Sequence, residues 1–195
     1  MKFNSLFLSV LLLVGLFLLN SLITLVIMKA NPVLLITNHS YQSQHEQIIN
    51  YLLTGNEQQL NKYLTHTEFI HIKDVRTLVA KIPLTLFLLI AVSSYLVKHH
   101  QNVSIKEVIK YSIISLFGLF LIGALLFMPL FTLFHQTLFP QGNWAFPSDS
   151  ILIQLYPEQF WRFSALLIAG AILIELAVVH WLKNHSFTSP KHLMV

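Results

Sequence analysis

The sequence predicts an all-α, polytopic membrane protein that crosses the bilayer four times as a single integral membrane domain, residues 1–195. Its composition is 55% hydrophobic and only 10% charged, whereas soluble domains carry roughly 25% charged residues. Four apolar runs of about 20 residues, bordered by basic residues, are typical of transmembrane helices. The formal charge of +4 is scattered over these borders, so no nucleic-acid partner is expected.

The four spans are predicted at about 6–28, 77–97, 111–134 and 163–182. The first run is too long for a signal-peptide core, and Met28 and Ala30 make no small-x-small cleavage site, so it is predicted to stay uncleaved. Pro83 stands in the early turns of the second span, where a helix tolerates proline. Gly118 and Gly123 in the third span allow close helix contacts in lipid.

Four spans place both termini on one side of the membrane. The basic residues on that side occupy short segments, whereas those on the other side are diluted over two longer connections, and the positive-inside rule applies chiefly to short loops. The termini are therefore predicted to be cytoplasmic, and the connections 29–76 and 135–162 extracytoplasmic. The first set is Lys2, Lys98, Lys106, Lys110, Lys183 and Lys191; the second is Lys29, Lys62, Lys73, Arg76, Lys81 and Arg162.

The first outer connection has apolar residues at helix-like spacing over about 44–64, which predicts two short amphipathic helices at the lipid interface. The segment 68–76 then leads into the second span, and if it is helical, Glu68, His71 and Asp74 share one face. A carboxylate beside an imidazole can fix its tautomer and raise its basicity. The alternative is a solvated, charged entrance to a transmembrane helix.

The second outer connection contains the run Pro-Gln-Gly-Asn-Trp at 140–144, which is strong turn chemistry. Pro157 and Glu158 after it predict a helix start. His135 closes a long apolar helix, and an ionisable group at membrane depth is a candidate for function. The alternative is an aromatic re-entrant turn that seats the chain at the interface.

Other side chains limit the chemistry. Cysteine is absent, which excludes disulfides, thiolate metal sites and a cysteine nucleophile. The ten histidines are dispersed, and neither a metal nor a cofactor is predicted. Glu175 lies in the fourth span nearer the cytoplasmic side, where pairing with Lys98 or Lys110 and a proton relay are both open.

Several of these motifs follow one another in a recognisable order. They are His71-Ile72-Lys73-Asp74-Val75, His135, Phe139-Pro140-Gln141-Gly142-Asn143-Trp144-Ala145-Phe146-Pro147 and Leu155-Tyr156-Pro157-Glu158. In spans, loop order and motifs, the chain resembles a family of four-span bacterial membrane proteins that includes the lipoprotein intramolecular transacylase of Gram-positive bacteria. The resemblance covers essentially the whole chain.

The resemblance implies a cell-membrane acyltransferase with its active site on the extracytoplasmic side. Such an enzyme moves the sn-2 acyl chain of a diacylglyceryl lipoprotein to the α-amino group of its N-terminal cysteine, giving the lyso-form lipoprotein. The partners are then the diacylated lipoprotein N-terminus and membrane lipids, and no acyl carrier is needed because donor and acceptor share one molecule. The family's two functional histidines match His71 and His135. The oligomeric state is left open.

Aminolysis of an ester needs an unprotonated amine, and an α-amino pKa near 8 makes a histidine base suitable. The sequence leaves open which histidine accepts the amine proton and which donates to the leaving glycerol oxygen. The surrounding residues add expectations. Asp74 or Glu68 is expected to orient His71. Arg76, Asn143 or backbone amides of the Gly142 turn are expected to stabilise the oxyanion. Trp144 is expected to be a supporting residue, and Ser148 and Ser150 are alternative nucleophiles.

Two non-enzymatic classes stay open at this level. A small transporter-like protein would carry polar residues along its spans, where Glu175 and His180 are nearly the only candidates. A non-catalytic membrane scaffold would use the same motifs to hold a partner.

Overall fold

The computed structural model describes residues 3–31, 39–57, 60–99 and 103–185, and within them the fold is helical without strands. Lys2 and Lys191, which contribute to the orientation argument, and parts of the first outer connection lie outside the described residues. Short 3-10 turns occupy His39–Tyr41 and Leu60–Lys62. The helices are α1 (Phe3–Ala30), α2 (Gln42–Thr54), α3 (His66–His99), α4 (Ile105–Leu125), α5 (Phe127–Leu138), α6 (Ile151–Leu155) and α7 (Glu158–His185).

Four of these helices are long and apolar enough to span a membrane, which confirms the predicted fold class. The candidate spans are Ser5–Ala30, His66–His99, Ile105–Leu125 and Glu158–Lys183. Large apolar side chains such as Phe87 point outward and are mostly exposed. Helices that expose apolar surface on this scale require lipid around them.

The first span is the central helix of the bundle, since α1 packs against α3, α4 and α7. The Ser5 hydroxyl donates to the Glu107 carboxylate over 3.0 Å, so α1 and α4 begin at the same end of the bundle. Met28, at the far end of α1, belongs to the apolar core of the opposite end. The bundle therefore has one end near Ser5, where α1 and α4 begin, and an opposite end near Met28, which we call the capped end.

The third apolar run differs from its prediction as one continuous helix over 111–134. The structure ends α4 at Leu125 and starts α5 at Phe127, with Leu126 between them at φ −119°. Pro129 explains the interruption, because proline has no N–H to donate to the Leu125 carbonyl and its ring crowds that oxygen. Helix α5 then continues to Leu138, so His135 lies inside its last turn.

A cap covers the end of the bundle at Met28; we define it as α2, the first turns of α3, α6 and the start of α7. Helix α2 is amphipathic as predicted, but its apolar face, with Ile48, Ile49 and Leu52, is buried against Ile72 of α3 and Leu152 of α6. The apolar face of α2 therefore contacts a protein core, whereas the prediction placed it against lipid. Of the second amphipathic helix, the described residues show only the turn Leu60–Lys62.

Glu68 connects two elements of the cap. Its Oε2 accepts hydrogen bonds of 2.8 Å from both the amide and the hydroxyl of Thr65, and the Thr65 hydroxyl accepts from the Glu68 amide at 3.3 Å. This reciprocal arrangement is a capping box at the start of α3. The other oxygen, Oε1, accepts from the Leu152 amide of α6 at 3.3 Å. Glu68 thereby ties the first turn of α3 to α6.

Glu175 pairs inside the bundle with Asn20 of α1. The Asn20 amide nitrogen donates to both carboxylate oxygens, at 3.2 and 3.1 Å, and also to the Leu16 carbonyl at 2.9 Å. The structure thus gives Glu175 a neutral partner on α1, where the sequence suggested Lys98, Lys110 or a proton relay. A hydrogen-bonded polar pair of this kind holds α1 to α7 within lipid.

Candidate active site

Two histidines meet at the capped end of the bundle. His71 comes from the early turns of α3 and His135 from the last turn of α5, and their ring centroids lie 6.1 Å apart with planes inclined by 28°. Helix α3 has 34 residues, about 50 Å at roughly 1.5 Å per residue, which exceeds the roughly 30 Å hydrocarbon core. Its first turns, with His71, therefore extend into the cap.

Aromatic side chains enclose this histidine pair. The rings of Phe139 and Phe146 pack edge to face with the ring of His71, at centroid distances of 4.7 and 5.5 Å. Trp144 lies 5.2 Å from His135. Each histidine is only 8% exposed, so the pair sits in an apolar enclosure. The predicted aromatic turn thus covers the histidines.

The tautomer of neutral His135 follows from one hydrogen bond. Its Nδ1 lies 2.8 Å from the backbone carbonyl of Phe131, one turn earlier in α5. A carbonyl oxygen can only accept, so Nδ1 must carry the hydrogen and donate. The lone pair of the neutral ring is then on Nε2, which makes Nε2 the basic atom of His135.

Burial lowers the pKa of His135 from its ordinary value of 6.5, and the hydrogen bond to Phe131 opposes this shift to a smaller extent. The apolar surroundings disfavour the charged imidazolium. His135 is therefore neutral at neutral pH, in the form that can accept a proton.

The turn over the histidines is anchored by Asp74. One oxygen of Asp74, Oδ2, accepts hydrogen bonds from the side-chain amides of Gln141, at 2.7 Å, and Asn143, at 2.8 Å. Gly142 between them has φ +78°, a conformation that glycine adopts without steric cost, and its amide donates to the Phe139 carbonyl at 3.0 Å. Asp74 thus holds the turn that places Trp144 against His135.

Four other predicted site residues contact groups other than the two imidazoles. The carboxylate of Glu68 is engaged by Thr65 and Leu152. The guanidinium of Arg76 lies against Gly55, which has φ +78° and follows the C-terminus of α2. Among the two predicted alternative nucleophiles, the Ser150 hydroxyl accepts from the Ile153 amide as the N-cap of α6, and Ser148 is exposed, with its backbone carbonyl accepting from Gln154.

Sequence reasoning missed a third buried histidine. His45 of α2 is 0% exposed, and its Nδ1 lies 3.0 Å from the hydroxyl of Tyr156. Burial lowers the pKa of His45 to about 4 and raises the pKa of the Tyr156 hydroxyl. The apolar periodicity of α2 was the available signal, because His45 lies three and four residues before Ile48 and Ile49 on the same face.

This neutral, buried His45 predicts an acid-sensitive cap. The pKa of His45 is about 4 in the fold and about 6.5 when the cap is open, so below about pH 6.5 the open form binds more protons. Cap stability then falls with decreasing pH until about pH 4, by about 3 kcal/mol in total.

The prediction can be checked by hydrogen exchange in Gln42–Thr54 between about pH 7 and pH 4.5, corrected for the intrinsic exchange rate. A His45→Gln variant keeps a polar partner for Tyr156 but does not titrate, so its exchange should depend less on pH. Equal pH dependence in both proteins would contradict the assignment to His45.

Metal chemistry has no evident set of ligands in the described part of the chain. Across residues 3–31, 39–57, 60–99 and 103–185, no group of three His, Cys, Asp or Glu side chains converges as metal ligands.

Taken together, the fold and the site define a multi-pass helical membrane protein with an enclosed pair of histidines at the capped end of its spans. A family model described as lipoprotein intramolecular transacylase Lit matches residues 3–161. The chain belongs to this family of membrane acyltransferases, which modify lipoproteins. No curated protein and no solved structure matches the chain.

Proposed function

We propose that this enzyme moves the sn-2 acyl chain of a diacylglyceryl lipoprotein to the α-amino group of the lipoprotein's N-terminal cysteine, by general acid and base catalysis at His71 and His135. The observation that carries the proposal is the enclosed pair of imidazoles, 6.1 Å apart, with Nε2 of His135 available as a base. Family membership supports the substrate class, and the geometry supports the histidine chemistry.

In the first step, the uncharged α-amine attacks the carbonyl carbon of the sn-2 ester. The new C–N bond forms while Nε2 of His135 accepts one proton from the amine nitrogen. The carbonyl oxygen becomes an oxyanion in the tetrahedral intermediate. An enclosure of low polarity strengthens any hydrogen bond donated to that oxygen.

In the second step, the C–O bond to glycerol breaks and the acyl chain stays on nitrogen as an amide. The leaving glycerol oxygen receives a proton from the histidine pair and becomes the free sn-2 hydroxyl. We assign His71 to this oxygen as a hydrogen-bond donor that keeps its own proton, and the proton that the oxygen receives is the one that His135 took from the amine. One proton is taken up and one is returned, so both imidazoles end neutral and no cofactor is consumed.

Positioning contributes to the rate because the ester and the amine belong to one molecule. Bringing reacting groups together can contribute several kcal/mol to lowering a barrier, and a tethered substrate already meets part of this requirement. The aromatic enclosure and the turn anchored by Asp74 then orient the linkage. A covalent intermediate on Ser148 or Ser150 is not required.

The proposed location of the site is the extracytoplasmic side of the cell membrane, with both termini in the cytoplasm. The density of Lys and Arg in the short segments near the termini supports this orientation. The capped end then lies in the outer leaflet, beside the diacylglyceryl group of the substrate.

Mass spectrometry of lipoprotein N-termini tests the proposed function. The chain is expressed in cells that lack lipoprotein N-acylation, and a reporter lipoprotein is purified and fragmented. We expect a mass-neutral rearrangement in which one acyl group moves from the glycerol to the cysteine nitrogen. A reporter that keeps both acyl groups on glycerol, although the chain is present in the membrane, would contradict the proposal.

The pH dependence of the rate follows from the lowered pKa of His135. A base with a lowered pKa stays neutral to more acidic pH, so protonation of His135 should limit the rate only below about pH 6.5. Above this pH, kcat/KM should rise until the substrate amine is deprotonated, near about pH 8.

Initial rates on a diacylglyceryl lipopeptide between about pH 5 and pH 9 measure this profile. A lipopeptide with a less basic α-amine should move the rising limb to lower pH by the same amount as its amine pKa. A limb that stays in place with this second substrate would assign the limiting proton to the enzyme instead.

A further inference from the structure

Asn143 has one side-chain atom that the fold engages and one that it leaves free. Its amide nitrogen donates to Oδ2 of Asp74 over 2.8 Å. The carboxylate of Asp74 can only accept, so the group of Asn143 that faces it must be the amide nitrogen and not the amide oxygen. This contact therefore determines the orientation of the Asn143 side-chain amide. The amide oxygen, Oδ1, is buried and has no donor within the described part of the chain.

A buried acceptor without a donor is unusual, because buried polar atoms in folded proteins are nearly always hydrogen-bonded. The turn that carries Asn143 is otherwise well satisfied. The Gly142 amide donates to Phe139, and Gln141 and Asn143 both donate to Asp74. Within the described part of the chain, this oxygen is therefore free to accept from a bound molecule.

The surroundings of Asn143 connect its turn to both histidines. Trp144, the next residue, contacts the ring of His135. Asp74, the hydrogen-bond partner, lies one helical turn after His71 on α3. Asn143 is thus fixed between the two elements that supply the histidines, on the turn that encloses them.

We propose that Oδ1 of Asn143 accepts a hydrogen bond from the α-amino group of the lipoprotein's N-terminal cysteine. This inference rests on the proposed function and adds a substrate-binding residue to it. The uncharged amine has two N–H bonds. One proton passes to His135, and the other stays on nitrogen in the amide product.

Two acceptors for these two N–H bonds orient the amine. Nε2 of His135 accepts a hydrogen bond from the N–H that is later deprotonated, and Oδ1 of Asn143 accepts one from the N–H that the amide product keeps. The lone pair of the amine nitrogen is then directed away from both acceptors. That direction is available for attack on the ester carbon. Asn143 therefore acts on the nucleophile, whereas the sequence suggested a role as a donor to the oxyanion.

A pair of unreactive ligands tests this assignment directly. Both are lipopeptides in which ether linkages replace the two esters, and one of them also lacks the α-amino group. We expect the wild-type enzyme to bind the amine-bearing ligand about tenfold more tightly than the des-amino ligand, near the effect of one hydrogen bond. Asn143→Ala should lower this ratio, and the preference that remains reflects the contact of the amine with His135.

A reciprocal exchange provides the matched control. In the double variant Asp74→Asn with Asn143→Asp, the amide at 74 donates to the carboxylate at 143, so the link is kept with its direction reversed. Position 143 then has acceptors only. We expect the preference for the amine to be kept or increased and the rising limb of kcat to shift to higher pH, because a nearby carboxylate stabilises the protonated amine.

The outcomes separate the possible roles. If Asn143 donates to the oxyanion, the double variant should be inactive. If Asn143 is purely structural, the rising limb of kcat in the double variant should stay at the pH of the wild-type limb. Either result overturns the inference. An Asn143→Ala enzyme with an unchanged ligand ratio also overturns it. Conversion of the diacyl lipopeptide by the wild-type is measured in parallel. Failure of that conversion contradicts the proposed function, whereas conversion with an unchanged ratio contradicts only the role of Asn143.

Discussion

Replacing His135 with asparagine is expected to lower the rate of acyl transfer by about 10²–10⁴-fold, the range for losing a general base. Asparagine can still donate from its side chain to the carbonyl of Phe131, which His135 engages at 2.8 Å. It has no counterpart of the basic Nε2. The variant thus removes proton acceptance while keeping the local hydrogen bond of α5.

The measurement is the rate of N-acylated product formation by mass spectrometry, on purified enzyme in proteoliposomes. His66→Asn is the matched control, because His66 is an exposed histidine at the start of α3 and should change little. Thermal midpoints of both variants are compared with that of the wild-type. Full activity of a folded His135→Asn enzyme would exclude His135 as the base.

Replacing His71 with phenylalanine is expected to lower the rate by about 10²–10³-fold, as for the loss of a donor to a developing negative charge. Phenylalanine keeps an aromatic ring against Phe139 and Phe146, which lie 4.7 and 5.5 Å from the imidazole. It cannot donate to the glycerol oxygen. The enclosure is thereby kept while the hydrogen bond is removed.

The effect of His71→Phe should appear in kcat with little change in KM, since the donor acts mainly on the charge that develops in the transition state. A substrate with a better leaving group, such as an ester of a more acidic alcohol, should be less sensitive to the substitution. Equal sensitivity of both substrates would contradict the assignment of His71 to the leaving oxygen.

The architecture of the bundle could be predicted from local features of the sequence. An apolar run of about 20 residues must form a helix in lipid, because the bilayer offers no partner for free backbone groups. The helical start at Glu158 and the turn at Gly142 likewise follow from residues close in sequence. The break between α4 and α5 had a local signal in Pro129, but an apolar run alone does not show where a proline interrupts it.

The arrangement of the site depends on contacts between residues far apart in sequence. Asp74 was expected beside His71 because both lie on one face of α3, yet its partners are Gln141 and Asn143 in the second connection. Glu68 shares that face and serves α6 instead. Helical spacing indicates which side chains share a face; it does not indicate what packs against that face.

By itself, the sequence determined that the chain forms four membrane spans and that its motifs lie in two connections between them, since hydrophobicity and turn chemistry are local properties. Only the tertiary structure decided that His71 and His135 share one aromatic enclosure and that His45 is buried against Tyr156. It also decided that the side-chain oxygen of Asn143 is buried without a donor among the described residues, while its amide nitrogen donates to Asp74. The physical reason is that burial and hydrogen-bond partners are properties of the packed cap, in which each group is fixed by elements that the linear chain keeps apart.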